Sequence, residues 1–133
     1  MSPRKNLLII EDHVCVRTLL CHVLGNKFDV VAKEDGLEGM AYLCNGNLPD
    51  LILLDISMPT ISGIELLSNL RSSGFFRHIP VVILSANDDP RERQRCTELG
   101  ISGFYQKPFN PLSLHQHVES IFDALDDPKQ MRA

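Results

Sequence analysis

The sequence of 133 residues has no tryptophan, two tyrosines and no long basic run among its 13 lysines and arginines. Without a basic track or interleaved aromatics, and with a formal net charge of −4, direct nucleic-acid binding by this domain is excluded as a main activity. The N-terminal MSPRKNLLIIED offers four apolar residues before two acids. That is too short for a signal peptide and far too short for a membrane span. The four cysteines, at 15, 21, 44 and 96, show neither CxxC nor metal-finger spacing. They fall in segments with helical patterning, which predicts buried or half-buried thiols in a reducing, cytoplasmic setting. No linker, repeat or low-complexity segment interrupts the chain. One domain with one core fits this length, with frayed ends at 1–5 and about 126–133.

What is present is a regular alternation. Apolar runs of strand length occur at LLII (7–10), FDVVA (28–32), LILL (51–54), VVIL (81–84) and GFY (103–105). They are continuous rather than alternating, as in strands covered on both faces. Between them, Val16, Leu19, Leu20, Val23 and Leu24 form one helical stripe, and Leu37, Met40, Ala41 and Cys44 a second. Leu114, Val118, Ile121, Phe122 and Leu125 form the last. Helix starts are written as capping boxes at Asp35–Glu38, Ser62–Glu65 and Asp89–Glu92, with Pro90 at a first helical position and Asn110-Pro111 before the last helix. Five strands alternating with five helices predict an α/β fold, a doubly wound parallel sheet of flavodoxin-like order 2-1-3-4-5.

In such a sheet, ligands bind beyond the carboxyl ends of the strands. Glu11 and Asp12 follow the first strand, Asp55 the third, Ser85 the fourth, and Lys107-Pro108 the fifth. Each has an ordinary explanation alone: a helix cap, a turn residue, a solvated strand end. Together at one edge they suggest chemistry. Three clustered carboxylates repel unless a cation joins them, and oxygen ligands without His or Cys select a hard ion, best Mg²⁺. His13 beside them reads as an exposed residue rather than a ligand. A carboxylate beside such a cation can accept a phosphoryl group, with the metal and an ammonium neutralising the oxygens.

The set Glu11-Asp12, Asp55, Met58-Pro59, Gly63, Ser85 and Lys107-Pro108-Phe109 resembles the receiver domain of bacterial two-component response regulators, of the chemotaxis-regulator kind, over about residues 5–125. The resemblance implies that Asp55 is the phosphoacceptor, fed by a sensor histidine kinase or a histidine phosphotransfer protein. It implies Mg²⁺ ligation by Asp12, Asp55 and the Ser57 carbonyl, with Glu11 acting through water. Lys107 would pair with the acyl phosphate and Ser85 would be the switch hydroxyl. Phe104 stands where the family often has a rotating switch aromatic. Its ring lacks a hydroxyl to hold in water and should prefer an inward pocket, biasing the domain towards the active form. Ser57 and Asn87 occupy positions that influence water access to the acyl phosphate. By geometry and family analogy, the Lys107–Pro108 bond should be cis.

Two departures stand out: the acidic pair is Glu-Asp rather than Asp-Asp, and Tyr105 falls where a buried strand residue is usual. Two other readings compete. A haloacid dehalogenase-type phosphatase would need an acid two residues after its nucleophile, where this chain has Ser57. A degenerate receiver would serve only as a protein-binding module. The expected role is not that of a turnover enzyme, and the output is a downstream domain or protein. A stand-alone regulator and a receiver from a longer protein are both compatible with the tail DALDDPKQMRA.

Overall fold

The computed structural model describes residues 4–58 and 62–126, so Pro59 and most of the tail lie outside the described residues. The elements alternate as expected: β1 (Asn6–Ile10), α1 (Val14–Leu24), β2 (Asp29–Lys33), α2 (Gly36–Cys44), β3 (Leu51–Asp55), α3 (Gly63–Ser72), β4 (Val81–Ser85), α4 (Pro90–Leu99), β5 (Gly103–Gln106) and α5 (Pro111–Asp126). All neighbouring strands pair in parallel, in the order β2-β1-β3-β4-β5. Among the described residues no helix is long and apolar enough to cross a membrane.

Alternate strand residues divide between two cores, because successive side chains point to opposite faces. Leu8, Ile10, Ile52, Leu54, Val81 and Ile83 meet α2, α3 and α4 through Leu43, Leu66, Leu70 and Cys96. Leu7, Ile9, Leu51, Leu53, Val82 and Leu84 meet α1 and α5 through Leu20, Leu24, Leu114, Val118 and Phe122. The central strands β3 and β4 are buried at every position. The edge strands β2 and β5 are only half-covered, so continuous apolar runs overstated their burial.

Asp35 caps α2 by accepting from Glu38 N at 2.8 Å, and Asn110 accepts from Leu112 N at 2.9 Å. Ser62 and Asp89 accept from the N–H two residues on, at Ile64 and Arg91, rather than three.

The inward face of α2 differs from the expected stripe. Gly36, Gly39 and Leu43 are buried, whereas Leu37, Ala41 and Cys44 are exposed. The cause is close approach: a Cβ on Gly39 would lie 2.4 Å from Ile10 Cδ1, so the helix meets the sheet through glycine rather than through leucine. The outer stripe residues Leu19 and Leu125 are exposed too. All four cysteines are helical, but only Cys96 is buried and Cys21 half-buried. Cys15 and Cys44 are exposed, because they point away from the sheet.

Candidate functional site

The strand order reverses between β1 and β3: from β1 the chain passes to β2 on one side, and β3 lies on the other. The carboxyl ends of these two strands form the crevice where a doubly wound sheet presents its ligand site, and the acids gather there. Ligand oxygens of Glu11, Asp12 and Asp55 all lie within 4.8 Å of one another. Glu11 and Asp55 are buried and Asp12 is exposed. Just after β5 comes Lys107, whose Nζ lies 2.7 Å from Glu11 Oε1 and 3.2 Å from Asp55 Oδ2. The Lys107–Pro108 bond is cis, as expected.

Backbone geometry orients the carboxylates. Ser57 N–H donates to Asp55 Oδ1 at 2.8 Å, and His13 N–H donates to Glu11 Oε2 at 3.0 Å. His13 itself is exposed at the N-cap of α1 and makes no side-chain cap bond. Glu11 Oε1, fully buried, meets only the Lys107 ammonium, at 2.7 Å. A buried carboxylate is costly to ionise, and a further cation at the cluster would lower that cost.

The electrostatics agree. Burial, reinforced by the neighbouring Asp55, pushes the Glu11 carboxyl up to about 7 against the opposing pull of Lys107 and the His13 N–H. Burial also acts to raise Asp12, but hydrogen bonding with Asp55 and Glu11 and the field of Lys107 hold it below its usual value. Burial works against the charged form of Lys107. Its two carboxylate partners more than offset this and raise it. With all three carboxylates ionised, the cluster would exceed the Lys107 ammonium by two formal negative charges, which one divalent cation would offset.

Ser85 is fully buried at the end of β4. Its hydroxyl donates to Asn87 O at 2.8 Å and accepts from Asn87 N at 3.1 Å, so it closes the β4–α4 turn. Ser57 Oγ accepts from Ala86 N at 3.0 Å and ties the same turn to the loop after β3. Phe104 is half-buried on the α3–α4 side, with Arg93 over its ring. Tyr105 faces the other core, its hydroxyl 2.7 Å from His117 Nδ1. The residues expected to converge from β1, β3 and β5 do so, and Ser85 lines the adjoining turn.

Sequence reasoning passed over Arg17, whose Nη1 reaches Glu11 O at 2.9 Å and Asp12 O at 3.2 Å. The signal was available: helical side chains lean towards the N-terminus, and Arg17 sits one turn inside α1. The Ser57–Ala86 tie had no sequence signal, because it joins the loops after two strands, β3 and β4, that are neighbours only in the folded sheet.

Comparison with known proteins agrees with this arrangement. The response regulator receiver domain model matches residues 7–119. The phosphate regulon transcriptional regulatory protein PhoB of Escherichia coli (strain K12) is 36% identical over 118 residues, covering 88% of this chain and 51% of PhoB. The chain thus spans about half the length of the first curated relatives it matches. The phosphorylated cyanobacterial phytochrome response regulator RcpA superposes with a TM-score of 0.78 at 32% identity, over 90% of this chain and 91% of RcpA. The chemotaxis protein CheY4 of Vibrio cholerae does so with a TM-score of 0.81 at 25% identity, over 90% and 99%. With its sheet order, its acid cluster and this match over most of its length, the chain belongs to the response regulator receiver domain family.

Proposed function

We propose that this chain acts in the cytoplasm as the phosphoacceptor of a two-component system, with Asp55 as the acceptor. The folded unit is residues 5–125, and the phosphodonor is a sensor histidine kinase or a histidine phosphotransfer protein. The observation that carries the reading is the placement of Asp55: a buried carboxylate at the end of a central strand, inside the acid cluster and 3.2 Å from Lys107. An Asp55 oxygen attacks the phosphorus of the donor, the P–N bond breaks, and the imidazole leaves with its electron pair and takes up a proton. Lys107, freed from Asp55 Oδ2, pairs with the incoming phosphoryl oxygens. Ser85 turns its hydroxyl from Asn87 O towards them.

The donor set fits Mg²⁺: three clustered carboxylates, oxygen ligands only and more acid than base in the cluster. Asp12, Asp55 and the Ser57 carbonyl would hold it directly and Glu11 through water. When bound it would neutralise charge on the phosphoryl oxygens. The acyl phosphate is later hydrolysed, so the domain turns over its own modification and no external substrate. The modified state would be read by a downstream output domain or protein rather than by nucleic acid directly, in keeping with the net charge of −4.

Incubation with phosphoramidate or acetyl phosphate should add one phosphoryl group, seen by intact mass, only with Mg²⁺ or Mn²⁺. Asp55→Asn should abolish it. Equal labelling of that variant would overturn the acceptor assignment, and no labelling of either chain would favour a phosphorylation-independent binding module.

A further inference from the structure

The segment Glu11-Asp12-His13 leaves the sheet before α1 begins at Val14. Glu11 N still pairs with Lys33 O, but among the described residues no backbone N–H donates to the carbonyls of Glu11 or Asp12. Both are taken by one nitrogen of Arg17, at 2.9 and 3.2 Å. Arg17 N–H is itself fixed at the first turn of α1 by His13 O, at 2.9 Å. Arg17 thus makes no hydrogen bond or ion pair to the acid cluster's carboxylates among the described residues; it grips the backbone from which Glu11 and Asp12 project.

From this contact, which rests on the metal reading above, we infer that Arg17 is a positioning residue for the divalent cation. It holds the carbonyls of Glu11 and Asp12 so that their carboxylates converge with Asp55 against their mutual repulsion. Because Arg17 Nη1 meets the carbonyls rather than the carboxylates, Arg17 does not occupy the acid oxygens that would ligate the cation. Partners that orient ligands in this way typically change metal affinity by about 10- to 100-fold when removed.

The sign of the effect separates this role from its alternative. If Arg17 were only a nearby positive charge, deleting it would reduce repulsion of the cation and tighten binding. As a positioning residue its deletion must loosen binding. The test is Mn²⁺ affinity by electron paramagnetic resonance on the full chain, with thermal melting in chelator as a check on the fold. Arg17→Ala should weaken Mn²⁺ binding about tenfold while the melting temperature in chelator stays close to that of the parent. Arg17→Lys keeps the charge but loses the planar fork, so it should remain weaker than the parent. It also answers the question if the alanine variant fails to fold. Unchanged or tighter Mn²⁺ binding in a folded variant would overturn the inference and leave the acceptor reading intact. Absence of Mn²⁺ binding by the parent chain would overturn the metal reading, and this inference with it.

Discussion

Arg93 of α4 places its guanidinium over the ring of Phe104 on β5, 5.0 Å from the centroid. The half-buried ring therefore has a cationic cap that any rotation must break, and such a contact contributes about 0.5–1 kcal/mol at an exposed site. Apart from Cys96, α4 buries no residue, so it is the helix most easily displaced by a change at Ser85. On adding beryllofluoride, amide shift changes should concentrate in residues 85–107, beyond the site itself. In Arg93→Ala the resting spectrum should move part of the way along the same direction. Changes confined to the neighbours of Asp55 would refute a switch through Phe104.

Gly63, at the start of α3, packs directly on the end of the acceptor strand. A Cβ there would lie 2.4 Å from Ile56 Cα and 2.7 Å from Asp55 O, both backbone atoms that cannot swing aside. Gly63→Ala should cost about 1–3 kcal/mol, read from urea denaturation. It should also slow labelling at Asp55, because the strand end must move to admit the methyl group. A neutral effect on both would mean that α3 shifts without disturbing β3.

The lifetime of the acyl phosphate should depend on the β4–α4 turn. Ser57 Oγ holds Ala86 N–H, and Ser85 Oγ holds both backbone groups of Asn87, so the turn is pinned beside the acceptor. Neither Ser57 nor Asn87 is a general base, which points to hydrolysis in the family's middle range. A bulkier Asn87→Tyr should slow phosphate release several-fold by limiting water access. An unchanged rate in a timed release assay removes that role.

Much of this was legible in the sequence, for physical reasons. Central strands are apolar on both faces, so LILL and VVIL announced themselves. Acids at strand ends are conspicuous against such runs, so the pattern alone places Glu11, Asp12 and Asp55 at one edge of the sheet. The face of α2 was not legible, because it packs through Gly39 against Ile10, and hydrophobic periodicity does not register a glycine contact. Arg17, the contact of Arg93 with the Phe104 ring and the Ser57–Ala86 tie were not legible for a related reason. Each acts through a carbonyl, a ring or an N–H, and sequence pattern shows side-chain character but not what backbone it meets.

The buried acid should make stability depend on pH in the direction opposite to an ordinary salt-bridged carboxylate. The Glu11 carboxyl is raised from 4.5 to about 7, with burial the largest cause. Below pH 4.5 both folded and unfolded chains hold this proton, and it has no effect on the balance. Between 4.5 and 7 the unfolded chain releases it while the folded chain keeps it, so stability falls as pH rises and the full penalty is present above 7. Asp12 acts in the opposite sense: its lowered value adds stability that is fully present above its ordinary 3.8 and is lost only as pH falls below that, so it contributes no slope between 4.5 and 7. In chelator, the melting temperature should therefore drop by several degrees between about pH 5 and about pH 7.5. Millimolar Mg²⁺ should flatten the fall, since a cation at the cluster favours ionised Glu11. Glu11→Gln cannot titrate, and should flatten it without metal. A melting temperature that rises through this window in chelator, or a Glu11→Gln profile that matches the parent, would show that Glu11 is ionised in the metal-free fold.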